Sequence, residues 1–395
     1  MSLSLRRILA TGASLAAGVA VLVVPSTATA QPDLATTVRS AVLDRHGAAL
    51  QEQWGTRSLR EPLFEPTRTS GDWVFGSTTV PMAYGQEHGS PLMALFLAKR
   101  TGKTWKVEFD GTPGFASLAQ HAPVLSDGEK ETFRNNASGV QTVADTGLGL
   151  PWPQGVAWWM GGGPHGNSGS TRPFSSIDFN GGDGRVLSAG PGRVYKSCIR
   201  GRSALVKVVH DNGYSTTYYH MYDLTTLADG SAVRTGTYLG HIGNELPCGG
   251  SSTGAHVHFS LLKGNTHISV NGMTIGGWTF YEGAQAYGGY AQRGSTRVNV
   301  GGRVTNYGAG TTLPTGTVNG GSNSTVNLRS GPGLSYDAVG TVANGAVVSI
   351  ACTARGETVE GVWGATDLWN RLEDGKWISD GFVDTGSNEP VAAAC

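Results

Sequence analysis

Ser203-Ala204-Leu205-Val206-Lys207-Val208-Val209-His210, Asp211-Asn212-Gly213, then Tyr214-Ser215-Thr216-Thr217-Tyr218-Tyr219-His220-Met221 is the stretch on which the fold turns. Two runs rich in β-branched and aromatic residues flank an Asn-Gly pair. Asn-Gly between such runs signals a tight hairpin, because both residues tolerate positive φ. The surrounding sequence has the same character. Gly supplies 60 of the 395 residues without a Gly-x-y period, which excludes collagen and points to short strands joined by tight turns. The expected fold class is mainly β.

Working outward, the length allows about two or three domains. Residues 1–30 read as a secretory signal peptide: Arg6 and Arg7, an apolar run over Ile8 to Val24, and an Ala28-Thr29-Ala30 cleavage site. Residues 31–145 read as an α+β propeptide. Leu34 to Leu50 has helical spacing. Trp73 to Val80, Met93 to Ala98 and Trp105 to Phe109 read as strands, Gly111 to Gly114 as a turn, and Ser126 to Asn135 as a helix end or linker. His46, His88 and His121 lie here without a partner at ligand spacing. Residues 146–290 carry the dense strand pattern, 291–321 read as a Gly-rich linker, and 322–395 form a unit of short strands suited to a small barrel.

Charge and cysteines narrow the function. Formal net charge is zero and charged residues are 15% of the chain, so no basic field recommends a nucleic-acid partner. Once the signal is removed, no segment is apolar enough to span a membrane. Four cysteines allow three pairings. An exported chain meets an oxidising environment, and the positions fall into two close pairs, Cys198–Cys248 and Cys352–Cys395.

The chemistry gathers in the middle segment. In His256-Val257-His258-Phe259, strand alternation puts both imidazoles on one face and Val257 and Phe259 on the other. A His-x-His pair alone is a weak signal. Three neighbours strengthen it: His165 in a Gly-rich loop, Asp178 in Ser176-Ile177-Asp178-Phe179, and His220 at the end of the hairpin. His and Asp are ordinary zinc ligands, and a catalytic zinc site keeps three protein ligands and one open position. Tyr218 and Tyr219 are candidate oxyanion donors, and Trp158-Trp159 could line a groove or pack the core. His210, His241 and His267 read as structural or surface residues. Asp183 is an inferior rival to Asp178. Glu245 lacks the His-Glu-x-x-His setting of a general base.

The order His165, Asp178, His220, His256-Val257-His258 resembles the lysostaphin-type zinc metalloendopeptidases. The long gap between His165 and Asp178 departs from the short His-x-x-x-Asp of lysostaphin itself and is similar to the branch of staphylolysin and the beta-lytic metalloendopeptidases. So do Leu150-Pro151-Trp152, Ser175 to Phe179, and Gly254 to Ser260. The resemblance implies an antiparallel-sheet peptidase domain with one zinc ion held by His165, Asp178 and His258. It implies unmetallated catalytic roles for His220 as electrostatic stabiliser and His256 as base, the two roles being exchangeable. It also implies a monomer acting on bacterial peptidoglycan, with Gly-Gly bonds the first expectation and D-Ala-containing bonds the second. Asn327-Leu328-Arg329-Ser330-Gly331-Pro332, with Gly375 to Ile378 and Gly381 to Val383, resembles bacterial SH3-like domains and implies cell-wall attachment. Two alternatives stand beside this reading. One is a non-catalytic wall binder on a degenerate peptidase fold; the other is a zinc D-Ala-D-Ala carboxypeptidase.

Overall fold

In the computed structural model, residues 33–56, 58–83, 90–137, 144–309, 314–392 and 395 are described. The signal-peptide segment 1–30 and His88 lie outside them. Elements are numbered in chain order.

Asp33 caps helix α1 (Leu34–Gln53), its Oδ1 accepting from Thr36 N at 2.8 Å. Val38, Val42 and Leu50 of α1 are buried against one face of an antiparallel meander, β1 (Leu63–Ser70), β2 (Trp73–Val80), β3 (Leu92–Thr101) and β4 (Thr104–Phe109). Two further helices follow, α2 (Pro113–Ala119) and α3 (Asp127–Ala137). Both depart from expectation. The Gly111 to Gly114 turn is the start of α2, with Thr112 as cap and Pro at the first turn. Ser126 to Asn135 is mostly helix. Ser126 and Glu129 form a reciprocal capping box, and Phe133 and Asn136 turn a buried face inward.

The hairpin that opened the sequence argument forms the middle of a nine-stranded sheet. Its strands are β5 (Ala157–His165), β6 (Ser176–Asn180), β8 (Gly192–Arg200), β9 (Ser203–His210), β10 (Tyr214–Tyr219), β11 (Ser231–Val233), β13 (Val257–Lys263), β14 (Thr266–His267) and β19 (Arg303–Thr305). They run β11-β8-β9-β10-β13-β6-β5-β19, with β14 against β13. β7 (Arg185–Leu187) pairs with β12 (Tyr238–His241). β15 (Thr274–Ile275), β16 (Trp278–Glu282), β17 (Gly289–Arg293) and β18 (Thr296–Asn299) form a small meander.

The segment expected as a linker, 291–321, is therefore largely structured. Its Gly-rich composition hides Val298 and Val304, which pack on the main core, and Val304 is fully buried where β19 closes the sheet against β5. Alternation rather than composition decides here.

One sheet face carries Val206, Val208, Tyr218, Val257, Phe259, Ile177 and Phe179 into the main core. The opposite face divides. Over β8 to β10 it packs Tyr195, Leu205, Val209 and Tyr219 against Phe75, Leu95, Leu97 and Phe133 of the N-terminal unit. The N-terminal α+β unit thus shares a core with the sheet and does not stand apart as a discrete domain. Around His258 of β13, Asp178 and Asn180 of β6, and Gly161 and Gly162 of β5 the same face opens as a groove.

The C-terminal strands are β20 (Thr315–Val318), β21 (Thr325–Arg329), β22 (Ala338–Ala343), β23 (Val347–Gly361), β24 (Gly364–Leu372), β25 (Trp377–Ser379) and β26 (Val383–Asp384), in the order β22-β21-β25-β24-β23-β20-β26. Among the described residues β22 and β26 do not pair, so hydrogen bonding does not close the expected barrel. Both disulfides form as expected, Cys198–Cys248 and Cys352–Cys395. No described helix is long and apolar enough to cross a membrane.

Candidate metal centre

Sheet register assembles the site. His258 on β13 pairs directly with Asp178 on β6, and Tyr219, the last residue of β10, flanks His258 on the other side. Val257 and Phe259 go to the core, as alternation requires, so His258 and Asp178 rise into the groove. His165 arrives from the end of β5, where register shifts between Met160 and His165 bend the strand toward β6.

The three donor atoms converge. His165 Nε2 lies 3.1 Å from His258 Nδ1 and 3.4 Å from Asp178 Oδ1, and His258 Nδ1 lies 3.1 Å from Asp178 Oδ1. Ligand atoms about 2.0–2.1 Å from a tetrahedral zinc stand about 3.3 Å apart, so the triangle already has the dimensions of a zinc site. His165, Asp178 and His258 are the group among the described residues whose ligand atoms could share one ion. The fit extends to tautomers. His165 Nδ1 donates to Gly163 O at 2.7 Å, since a carbonyl can only accept, and Nε2 keeps its lone pair toward the site. Burial on its own would raise the Asp178 carboxyl. The His165 ring, and after it the His258 ring, outweigh burial and hold it well below its ordinary value. Burial lowers His258 below its ordinary value, against the pull of Asp178. Its Nε2 is buried without a partner. The three residues form a single site suited to one zinc ion.

The other two histidines stand beside this triangle. His220 follows β10 at φ +67°, a left-handed turn that swings its ring off the sheet. Its Nδ1 donates to Glu245 O at 3.1 Å, leaving the Nε2 lone pair available. Burial, then the neighbouring His256, pulls its pKa down to about 3, so it is neutral at pH 7. His256 Nδ1 donates to Gly254 O at 2.7 Å, and its Nε2 lies 3.5 Å from Asp178 Oδ1. The two rings are 4.7 Å apart. All five sequence-selected residues therefore meet in one place.

Sequence reasoning missed part of the wall. Tyr287, at φ +65°, stacks on His165 at 4.0 Å between ring centroids. Gly162 leaves room for Asp178: a Cβ there would stand 2.7 Å from Asp178 Oδ2 and 3.1 Å from Tyr287. Asn180 and Ser251 to Ala255 line the remainder. Tyr287 lies far down the chain in a Gly-rich stretch and carries no local motif.

Other candidates resolve to packing. Tyr218 OH accepts from Ala189 N and pairs with Thr216 Oγ1 in the core, while Tyr219 OH accepts from Cys248 N and donates to Gly249 O. Neither hydroxyl is free to serve as an oxyanion donor. Trp158 stacks on Trp152 in the core, and Trp159 is exposed beside Arg303. His210 is fully buried between Pro191 O and Thr216. His241 bonds Asp183 O, Asp183 itself holds Arg185, and Glu245 acts through its carbonyl.

Peptidase family M23 matches residues 172–270, which hold Asp178, His220, His256 and His258 but stop short of His165. The chain is similar to protease LasA of Pseudomonas aeruginosa, 36% identical over 151 residues, covering 35% of this chain and 34% of that protein. It thus spans about a third of that relative's length. It is also similar to the beta-lytic metalloendopeptidase of Lysobacter enzymogenes, 32% identical over 151 residues, 35% of this chain and 82% of the relative. Among solved structures, the M23 metalloprotease pseudoalterin is 32% identical with a TM-score of 0.36, covering 42% of this chain and 99% of that one.

Proposed function

Because the chain belongs to peptidase family M23, we propose that it is a secreted zinc-dependent endopeptidase that hydrolyses peptide bonds in bacterial peptidoglycan. The bond lies in the stem peptide or cross-bridge, with Gly-Gly foremost. The single observation that carries this reading is the triangle of His165 Nε2, Asp178 Oδ1 and His258 Nδ1 with two more imidazoles at its open side.

Zinc held by such a set supplies Lewis acidity and makes water nucleophilic near neutral pH. The remaining work belongs to the chain. His256 Nε2, its tautomer fixed by Gly254 O, takes the proton of the attacking water. His220, neutral at pH 7 with its Nδ1 proton on Glu245 O, faces the same space with the Nε2 lone pair; it stabilises charge developing on the scissile carbonyl oxygen after taking up there the proton released by the attacking water, or exchanges roles with His256. Tyr287 keeps the His165 ring in place by stacking. The groove walls of Gly161, Gly162 and Gly254 admit a backbone with small side chains, which favours a glycine-rich substrate.

The long His165 to Asp178 spacing and the identities above support the staphylolysin and beta-lytic branch. Residues 31–145 serve as a propeptide in this reading. The C-terminal unit is an SH3-like wall-binding module that concentrates a monomeric enzyme on an insoluble polymer.

The test is digestion of purified peptidoglycan, with mass spectrometry of the released peptides. A chelator should abolish release and added zinc restore it. Release that persists in a metal-stripped protein would remove the proposal.

A further inference from the structure

We propose that the sheet row beside the metal is a subsite for a carboxylate on the substrate peptide, with Lys207 as its cation. Asp110 of the N-terminal unit stands in for that carboxylate. This rests on the endopeptidase reading above and on residues 31–145 being its propeptide.

The row is read from register. Lys207 on β9 pairs with Thr217 on β10, Thr217 with Ser260 on β13, and Ser260 with Ser176 on β6. The metal row lies next to it on the same face, with Tyr219 opposite His258 and His258 opposite Asp178. Two strand spacings of about 4.8 Å and one same-face step of about 7 Å put Lys207 about 12 Å from His258 along the sheet surface. An extended peptide covers that distance in about three or four residues.

All four residues of the row are buried, and the N-terminal unit meets the row at Lys207, through Asp110, and reaches Ser260 by way of Asn167. It does so as a peptide would. Ser90 N donates to Asn167 O at 2.5 Å, and Asn167 Nδ2 donates to Ser90 O at 2.8 Å, a reciprocal main-chain grip. Asn167 Oδ1 in turn reaches Ser260 Oγ in the row. At the other end the Asp110 carboxylate receives Lys207 Nζ, with both side chains fully buried. Asp110 is also held from its own unit by Leu95 N at 2.8 Å, so its position does not depend on Lys207.

A buried ion pair is a poor choice if adhesion is its only purpose, because apolar residues of the same volume hold two surfaces at least as well. What the pair alone provides is a cation left on the sheet when the cover departs. Lys207 then keeps Asn265 Oδ1 at 3.1 Å, and Asn265 Nδ2, buried without a partner, supplies a second donor for an incoming carboxylate.

The test uses the metal-stripped full chain, so that turnover does not obscure binding. Asp110→Asn removes the competing charge. Asp110→Lys places a second ammonium against Lys207 and loosens the cover's hold at that end of the row. Three probes are titrated calorimetrically: pentaglycine acetylated and amidated, pentaglycine acetylated with a free C-terminal carboxylate, and succinyl-pentaglycine amide. One of the two carboxylate probes should bind the Asp110 variants about tenfold tighter than the uncharged peptide. Lys207→Met in the same background should abolish the preference, and the unaltered full chain should show none. Equal binding of all three probes to both Asp110 variants overturns the subsite, and so does a preference that survives Lys207→Met. The endopeptidase reading is judged separately: a chain that digests peptidoglycan with zinc but shows no carboxylate preference sinks only this inference.

Discussion

His258 and Asp178 stand directly opposite each other on β13 and β6, and the His258 Nδ1 to Asp178 Oδ1 distance is 3.1 Å. The metal centre is thus set by strand register rather than by loop conformation. A slip of β13 by one residue would send Val257 or Phe259 into the groove and His258 into the apolar core, leaving Asp178 without its partner ligand. Burial of Val257, Phe259, Ile177 and Phe179 is the force that forbids the slip, so the hydrophobic core itself specifies the ligand geometry.

Replacing His258 with Ala should remove zinc and activity together, because two ligands no longer enclose the ion. Replacing His256 with Ala should leave about one zinc per chain and lower kcat/KM by about 10²–10⁴, the usual contribution of a positioned general base. Zinc content by elemental analysis, beside lysis of cell walls, separates the two. Loss of zinc from the His256 variant would reverse the division of roles proposed above.

Gly162→Ala should weaken zinc without unfolding the protein. The added Cβ would meet Asp178 Oδ2 at 2.7 Å and Tyr287 at 3.1 Å, so the carboxylate must turn away from the triangle. Disturbing a ligand's support typically costs about 10–100-fold in metal affinity. Competition against a chromophoric chelator reads this out. Unchanged affinity would mean that Asp178 has freedom the close packing denies it.

Much of this was legible in the chain itself, and the reasons for the failures are specific. The Asn-Gly hairpin and the alternation around His256 to Phe259 are local signals, and they placed the sheet and its two faces. The resemblance to a known peptidase family, carried by the order and context of these residues, is what joins positions as far apart as His165 and His258. Tyr287 stayed hidden because nothing local distinguishes it; only the fold carries it over His165. The segment 291–321 was misread because Gly, Thr and Asn are as common in tight-turned strands as in linkers. The sequence leaves α3 open between a helix end and a linker because its buried face uses Thr132 and Asn136 beside Phe133. These polar groups bond Asp211 Oδ1, Gly213 O and Tyr214 O, partners invisible from the sequence.

Glu129→Ala should destabilise the full chain by about 2–3 kcal/mol, the range for breaking a buried charge-assisted network whose arginine keeps some access to water. Glu129 is 1% exposed and takes both Arg68 nitrogens, at 2.7 and 2.6 Å, together with Tyr195 OH from β8 at 3.1 Å. It therefore ties β1, α3 and the sheet into one unit. Urea unfolding should remain a single transition at a lower midpoint. A change below about 0.5 kcal/mol, the usual scatter of surface substitutions, would show that the network does not couple the two layers.

Acid should weaken the fold through His210, well away from the zinc ligands. Burial holds its pKa down to about 4 against an ordinary 6.5, and Pro191 O and Thr216 Oγ1 occupy both ring nitrogens. The folded pKa lies below the unfolded one, so the unfolded state binds the proton more readily. The contribution is complete above pH 6.5 and is lost as pH falls from there toward 4, amounting to about 2 kcal/mol at pH 5. His46 and His267, held down to about 4 and about 3 mainly by burial, act in the same direction. Urea midpoints of the chelated protein should therefore drop between pH 7 and 5, and His210→Gln, which cannot titrate, should show a shallower drop by about that amount. Parallel profiles for the two proteins would mean that His210 carries a second proton in the fold and donates from both ring nitrogens, to Pro191 O and to Thr216 Oγ1.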